Sequence, residues 1–246
     1  MIAPRGVRLG FISTNKRAGS HYERYRSLLP PAIEVSYATV GLWSTSLREL
    51  KGTEAEHIER TVALQSENGW DGIGLLGAPM QTQNPQFLGE LRKRISIPIV
   101  SAMEAGCYAL RALEITKVLV LTPFDDELNR PIVEFIRSFG IDARAPVGFE
   151  DIGVPAGMGP EQVLDVARSA FAECPESQAV YFQGARLDPL GIMDDLELDL
   201  GIPVISSNAA MTWYLCSVLG HRHSVHGAGT ILREWPAFGR RGSDGW

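Results

Sequence analysis

The sequence is poor in cysteine and has no apolar run long enough to cross a lipid bilayer. Its 246 residues contain three cysteines, Cys107, Cys174 and Cys216, whose spacing matches no metal-binding pattern. So few thiols favour a reducing cytoplasm, and the lack of an apolar stretch of about 20 residues argues against membrane insertion. Because no leader-like segment follows Met1, we expect a cytoplasmic protein with no membrane partner.

Basic charge is also scarce. The chain has 23 lysines and arginines against 29 acidic residues, a net charge of −6, which argues against a nucleic-acid partner. His221, His223 and His226 stand close together near the end of the chain. They lack a nearby thiol or carboxylate pattern, so the sequence predicts no metal site there.

What the sequence does contain is a regular alternation of short Val/Ile/Leu runs with amphipathic stretches. The predicted strands are 7–12, 34–39, 72–76, 97–101, 117–122, 142–146, 178–183 and 202–206. The predicted helices are 20–29, 54–68, 85–94, 103–114, 125–139, 160–173, 189–200 and 209–219. This alternation is typical of an α/β fold in which helices flank parallel sheets.

The chain also repeats itself. Segment 75–81 resembles segment 181–187, and segment 97–102 resembles segment 202–207. The matches occur in the same order, which indicates two pseudo-symmetric halves, 1–114 and 115–238, followed by a tail at 239–246. Each half is predicted to be a parallel sheet flanked by helices, with the active-site cleft between the halves; helix 209–219 can pack back on the first half.

In both copies of the first repeat an apolar strand ends in Gly-Ala, at Gly77-Ala78 and at Gly184-Ala185. The end of a parallel strand is where an α/β protein places its ligand. Backbone N–H groups in such a turn can hold a carboxylate or an enediolate. Glycine has no side chain for acid–base chemistry, so a catalyst has to come from elsewhere.

A resemblance to a known family follows from several segments together, namely 77–79, 122–129, 202–208 with Trp213, and 227–232. With them the chain resembles the aspartate/glutamate racemase superfamily, within it the arylmalonate decarboxylase and maleate isomerase group. The resemblance implies chemistry on small carboxylates without cofactor or metal, in a cleft between two α/β halves. It also implies that the catalytic cysteines of the family belong at Gly77 and Gly184.

Since neither position is cysteine, residue type excludes racemisation by two thiols and isomerisation by a cysteine nucleophile. Arg186, which can bind a carboxylate in a bidentate manner, and His21, which can titrate near neutral pH, are the candidate catalytic residues. A surface arginine and a solvated helix face are the structural alternatives, and Asp188 is interpreted as the cap of a helix that begins at Pro189. The candidate substrate-binding residues are Asn15, Gly77, Ala78, Pro79, Phe124, Gly184, Ala185, Arg186 and Ser207.

The favoured function is a cofactor-independent lyase, similar to arylmalonate decarboxylase, that forms an enediolate-type intermediate without a catalytic cysteine. Two alternatives stay open: an isomerase or racemase with a non-cysteine acid or base, and a catalytically silent relative that binds a small carboxylate. The expected partner is a small carboxylate, and self-association into a homo-oligomer is left open. A proton donor near the space between Gly77 and Gly184 would separate an enzyme from a silent relative.

Overall fold

The computed structural model describes residues 6–16, 21–42 and 47–237, without the side chain of His21; the predicted tail at 239–246 lies outside this range. The strands are β1 Val7–Ser13, β2 Ile33–Thr39, β3 Gly72–Leu75, β4 Ile99–Ser101, β5 Lys117–Leu121, β6 Asp142–Arg144, β7 Ala179–Phe182 and β8 Val204–Ser206. The helices are α1 His21–Leu28, α2 Glu54–Asn68, α3 Ala78–Gln83, α4 Phe87–Arg94, α5 Ala102–Ala112, α6 Asp126–Ser138, α7 Gly153–Ala156, α8 Pro160–Glu173, α9 Met193–Leu200, α10 Ser207–Val218 and α11 Thr230–Glu234.

The strands form two parallel sheets of four strands with the same order. The first sheet runs β2-β1-β3-β4 and the second runs β6-β5-β7-β8. All six strand pairings are parallel. The predicted α/β fold of two repeated halves, each with a helix-flanked parallel sheet, is therefore confirmed.

Helices α5 and α10 pack against each other and join the two halves through one apolar core. Helix α10 also packs on β3 and β4 of the first sheet. Glycines on β3 make this approach close, since a Cβ atom on Gly74 would lie 2.9 Å from the sulfur of Met211. Within the described residues, no helix combines the length and the apolar character that a bilayer span requires.

Two helices begin later than the sequence predicts. The predicted helix 85–94 has Pro85 in its first turn, but α4 begins at Phe87, after the short helix α3 that ends at Gln83 with Asn84 as its C-cap. Pro189 was expected to open a helix capped by Asp188, but α9 begins at Met193. Here the Asp188 carboxylate instead accepts a hydrogen bond from the Leu190 N–H, 3.0 Å away, and so closes a local turn.

His57 is a buried histidine near the start of α2. Its Nδ1 lies 3.1 Å from the Thr61 hydroxyl, its ring packs edge-on against Phe87, and its Nε2 has no hydrogen-bond partner within the described chain. Burial lowers the pKa of His57 from 6.5 to about 4. The unfolded chain therefore binds a proton at a pH where the folded protein does not.

We expect this histidine to make folding stability depend on pH. Its contribution is fully present above about pH 6.5 and is lost as the pH falls toward 4, by up to about 3 kcal/mol. Thermal unfolding of the wild type and of His57→Leu between pH 7.5 and 4.5 measures the effect. The melting temperature of the variant should fall less steeply with pH than that of the wild type. The exposed His226, changed to glutamine, is the control; equal declines in all three proteins would contradict the prediction.

Candidate active site

One cavity is lined by residues that follow the carboxyl ends of strands from both sheets. In each sheet the next strand in the chain pairs with one side of the first strand, and the third strand pairs with its other side. The boundaries between β1 and β3 and between β5 and β7 are therefore the switch points at which α/β proteins bind ligands. The cavity borders both points and holds about 550 Å³ of atom-free space, its open mouth included. It is lined by Ser13, Thr14, Asn15, Tyr22, Leu47, Leu76, Gly77, Pro79, Ala102, Pro123, Phe124, Ile152, Gln183, Gly184, Ala185, Arg186 and Ser207.

The two predicted glycine turns have equivalent places in the two sheets. The N–H of Leu76 donates to the carbonyl of Ile12, and the N–H of Gln183 donates to the carbonyl of Leu121, each at 2.8 Å. Gly77 and Gly184 come directly after these last bonds, with φ angles of +99° and +115°. Since L side chains rarely adopt such angles, glycine is the residue that these turns require.

Two long helices begin at the cavity. Ala102 and Ser207, which line it, are the first residues of α5 and α10. The side chains of Ser101 and Ser206 cap these helices by accepting hydrogen bonds from the N–H groups of Glu104 and Ala209. Because a helix N-terminus carries partial positive charge, both helix ends favour an anion in the cavity.

Arg186 is partly buried and follows the second glycine turn. Among the described residues that line the cavity, Arg186 has the only formally charged side chain. Asn15 borders the cavity from the first half, where its N–H donates to the hydroxyl of Ser13 and its carbonyl accepts from the N–H of Gly41. A guanidinium and an amide can both hold a carboxylate, so the lining suits an anion.

Tyr22 brings a phenol into the cavity from α1. Its side chain is buried, forms a hydrogen bond with the side chain of Ser13, and stacks on the ring of Tyr37 with 3.9 Å between centroids. Burial raises the pKa of Tyr22 to about 12, although the Ser13 hydrogen bond and the charge of Arg186 both act to lower it. The phenol therefore holds its proton at neutral pH.

Gln183 is a polar group in the second half of the site. It is buried, and its amide oxygen contacts the hydroxyl of Tyr181, which also donates to the carbonyl of Ala102 at 2.7 Å. The tyrosine fits because position 106 is glycine: a Cβ atom there would lie 2.3 Å from the Tyr181 hydroxyl. Tyr181 thus fixes the Gln183 side chain against the cavity.

Phe124 supplies part of an apolar wall. Its N–H donates to the hydroxyl of Thr122, and its carbonyl accepts from the side chain of Asn129 and from the N–H of Phe149. These bonds hold the backbone at the end of β5 and leave the ring against the cavity. Leu47, Leu76, Pro79, Pro123 and Ile152 are the other large apolar residues of the lining.

Ion pairs join the two halves at this edge. The guanidinium of Arg24 on α1 lies 2.6 Å from the carboxylate of Asp188, and Arg48 contacts both Asp125 and Glu127 at the start of α6. Burial raises the pKa of Asp188, against the opposing effects of the Leu190 N–H and Arg24. These pairs connect the first half to the second.

The predicted binding residues gather here with one exception. Asn15, Gly77, Pro79, Phe124, Gly184, Ala185, Arg186 and Ser207 all line the cavity. Ala78 does not, because it is buried beside an adjacent small pocket. The side chain of His21 lies outside the described part of the structure. Sequence reasoning missed Tyr22, Gln183 and Ser13, although Tyr22 adjoins His21 and the other two adjoin strand ends.

The cysteines lie elsewhere. Cys107, Cys174 and Cys216 are free and buried, and none of them is among the described residues of the cavity lining. Burial raises the pKa of Cys107, and it raises that of Cys216 to about 12. Within the described chain, no cluster of His, Cys, Asp and Glu side chains has the arrangement of a metal site.

Comparison with known proteins identifies the family. Residues 33–232 match the family model of arylmalonate decarboxylase. This chain belongs to the arylmalonate decarboxylase family. The predicted resemblance to the arylmalonate decarboxylase and maleate isomerase group is thereby confirmed.

Relatives of the arylmalonate decarboxylase family agree in sequence and in fold. The arylmalonate decarboxylase of Bordetella bronchiseptica is 24% identical over 155 residues, covering 61% of this chain and 60% of that protein. A liganded double mutant of arylmalonate decarboxylase (glycine to cysteine and cysteine to serine) is 21% identical with a TM-score of 0.79, covering 93% and 99% of the two chains. A cysteine-to-alanine variant of the maleate isomerase from Pseudomonas putida S16, solved with maleate, is 21% identical to this chain with a TM-score of 0.78. The match covers 92% of this chain and 97% of that one.

Proposed function

We propose that this protein is a cofactor-independent lyase that removes carbon dioxide from a small malonate-type acid without a catalytic cysteine. The supporting observation is the composition of one cavity at both switch points. Its described lining combines one cation, Arg186, with two glycine turns, two helix N-termini and several large apolar side chains. That combination offers both groups that bind a carboxylate and side chains that cannot hydrogen-bond one.

The polar lining residues are suited to the carboxylate that stays on the substrate. Arg186 and Asn15 offer N–H donors, and the starts of α5 and α10 add positive potential. When the neighbouring C–C bond breaks, its electron pair moves into this retained carboxylate and forms an enediolate. Donors already in place stabilise that developing charge without reorganisation.

The apolar lining residues are suited to the carboxylate that leaves. Phe124, Pro79, Leu47 and Ile152 offer no hydrogen-bonding side chain to an ionised group. A carboxylate held against such a wall loses hydration, which favours its departure as neutral carbon dioxide. The presence of both polar and apolar lining residues supports decarboxylation over simple carboxylate storage.

Proton NMR in heavy water tests the proposal. The wild-type protein is incubated separately with an arylmalonate, a methylated malonate and maleate. Decarboxylation should place one deuterium on the α-carbon of each product molecule. Conversion of maleate to fumarate would favour an isomerase instead, and the absence of both turnover and exchange would leave a carboxylate-binding protein.

Cysteine variants test the thiol-free part of the proposal. Cys107→Ala and Cys216→Ala remove the two thiols that lie in α5 and α10, whose first residues line the cavity. Both variants should keep turnover within about threefold of the wild type, because neither thiol lines the cavity. Loss of turnover in a variant that melts like the wild type would assign the chemistry to a cysteine after all.

A further inference from the structure

The proposed decarboxylation needs a group that protonates the α-carbon. Among the described residues that line the cavity, Tyr22 is the one whose side chain can act as an acid. The guanidinium of an arginine does not give up its proton in proteins, and serine and threonine hydroxyls are much weaker acids than a phenol. We propose that Tyr22 is the catalytic proton donor and delivers its phenolic proton to the α-carbon of the enediolate. This assignment rests on the proposed function.

The Tyr22 ring is held by contacts at both ends of the side chain. The ring stacks on Tyr37 at an interplanar angle of 17°, and Tyr37 in turn meets Phe11 of β1 edge-on at 5.5 Å. At the other end of the side chain, the hydroxyl forms its hydrogen bond with Ser13, the last residue of β1. The phenol is therefore held on the rigid sheet, at the edge of the cavity.

The surroundings of the phenol suit a donor that acts once in each turnover. Burial raises the pKa of Tyr22, so the phenol carries its proton at neutral pH. The basic carbon of an enediolate is a strong base and can take this proton. The phenolate left behind is stabilised by the Ser13 hydrogen bond and by the charge of Arg186.

The proposed step balances in atoms and electrons. The electron pair of the broken C–C bond, held in the enediolate, forms the new C–H bond with the proton of Tyr22. The O–H bond of Tyr22 breaks and its electron pair stays on the oxygen. Water entering through the open mouth of the cavity then returns a proton to the phenolate, so each turnover consumes one proton and releases one carbon dioxide.

Tyr37 provides a matched control for this assignment. It lies in the same aromatic stack as Tyr22, and its hydroxyl is buried with no hydrogen-bond partner within the described residues. It does not line the cavity. Tyr37→Phe therefore removes a neighbouring phenol, and leaves both the aromatic stack and the proposed donor in place.

The test uses a prochiral α-methyl-α-arylmalonate and measures kcat, KM and the enantiomeric ratio of the product. Tyr22→Phe should lower kcat by about 100-fold or more with KM within threefold, as expected for loss of a general acid. Its residual product should be racemic, because water then protonates both faces of the enediolate. Tyr37→Phe should stay within about twofold of the wild type with an unchanged enantiomeric ratio.

The outcomes separate this assignment from the proposed function. If the wild type is active and Tyr22→Phe has the same kcat and enantiomeric ratio, the assignment of Tyr22 is wrong and the proposed function stands. If the wild type is inactive, the proposed function is wrong and the assignment falls with it. Should Tyr22→Phe fail to fold, Ser13→Ala takes its place, since it retains the phenol and removes a hydrogen bond to the phenolate. It should lower kcat by about three- to twentyfold, and an unchanged kcat would count against Tyr22.

Discussion

Arg186→Met is expected to lower kcat/KM for a malonate-type substrate by about 100-fold or more. The guanidinium can donate two parallel hydrogen bonds to one carboxylate, and each bond to a charged group contributes about 1.5–3 kcal/mol. Methionine keeps the length and apolar contacts of the side chain and removes the charge. The loss should appear in both kcat and KM, because the enediolate is more strongly charged at this end than the substrate.

Two further arginine variants make this result specific. Arg186→Lys keeps the charge without the bidentate geometry, so its kcat/KM should fall between those of the wild type and Arg186→Met. Arg168→Met removes an exposed arginine that pairs with Asp199 at 2.7 Å, far from the cavity lining, and should stay within twofold of the wild type. Wild-type kcat/KM in Arg186→Met would remove Arg186 from the site.

The fold could be predicted because both of its signals are local in the sequence. Buried parallel strands have apolar runs such as Val118–Leu121, and the repeat at Gly77 and Gly184 marks equivalent strand ends. Helix α3 was missed because Ala78–Gln83 is too short for a helical period to be seen. Pro189 misled the prediction because a proline suits the start of a helix and an isolated turn equally well.

The site could be predicted only where strand ends define it. Asn15, Phe124, Arg186 and Ser207 all follow predicted strands closely. Tyr22 was passed over for its neighbour His21, because histidine titrates near neutral pH and tyrosine does not. The choice between adjacent helix residues depends on the rotation of α1 against the sheet, which a sequence of eight residues does not specify.

The cluster of aromatic rings in the first half could not be predicted from the sequence either. Tyr22, Tyr37 and Phe11 lie on three separate elements and meet only in the folded protein. Similarly, Gln183 is aimed at the cavity by Tyr181, whose ring needs the space left by Gly106 on α5. Such contacts join residues far apart in the chain, so their functional meaning depends on the tertiary structure.

Gly184→Cys is expected to destabilise the protein by about 2–4 kcal/mol. A Cβ atom at this position would lie 2.8 Å from Cδ and 3.1 Å from Cγ of Pro123, and φ is +115°. Both the contact with a rigid proline ring and the backbone conformation oppose any side chain. Gly77→Cys should cost less, because its nearest neighbour would be the Thr14 hydroxyl at 3.3 Å and its strain is mainly that of φ at +99°.

A double-mutant cycle with Pro123→Ala separates the two costs at position 184. Alanine removes the Cγ and Cδ atoms of the contact, so Pro123→Ala/Gly184→Cys should recover about 1–2 kcal/mol relative to the sum of the single variants. The double variant is also the better test of whether a thiol at this strand end is active. In Gly184→Cys alone, the effect of the new thiol cannot be separated from the effect of the strained turn. Denaturant unfolding measures all four proteins, and strict additivity would show that φ alone keeps this position glycine.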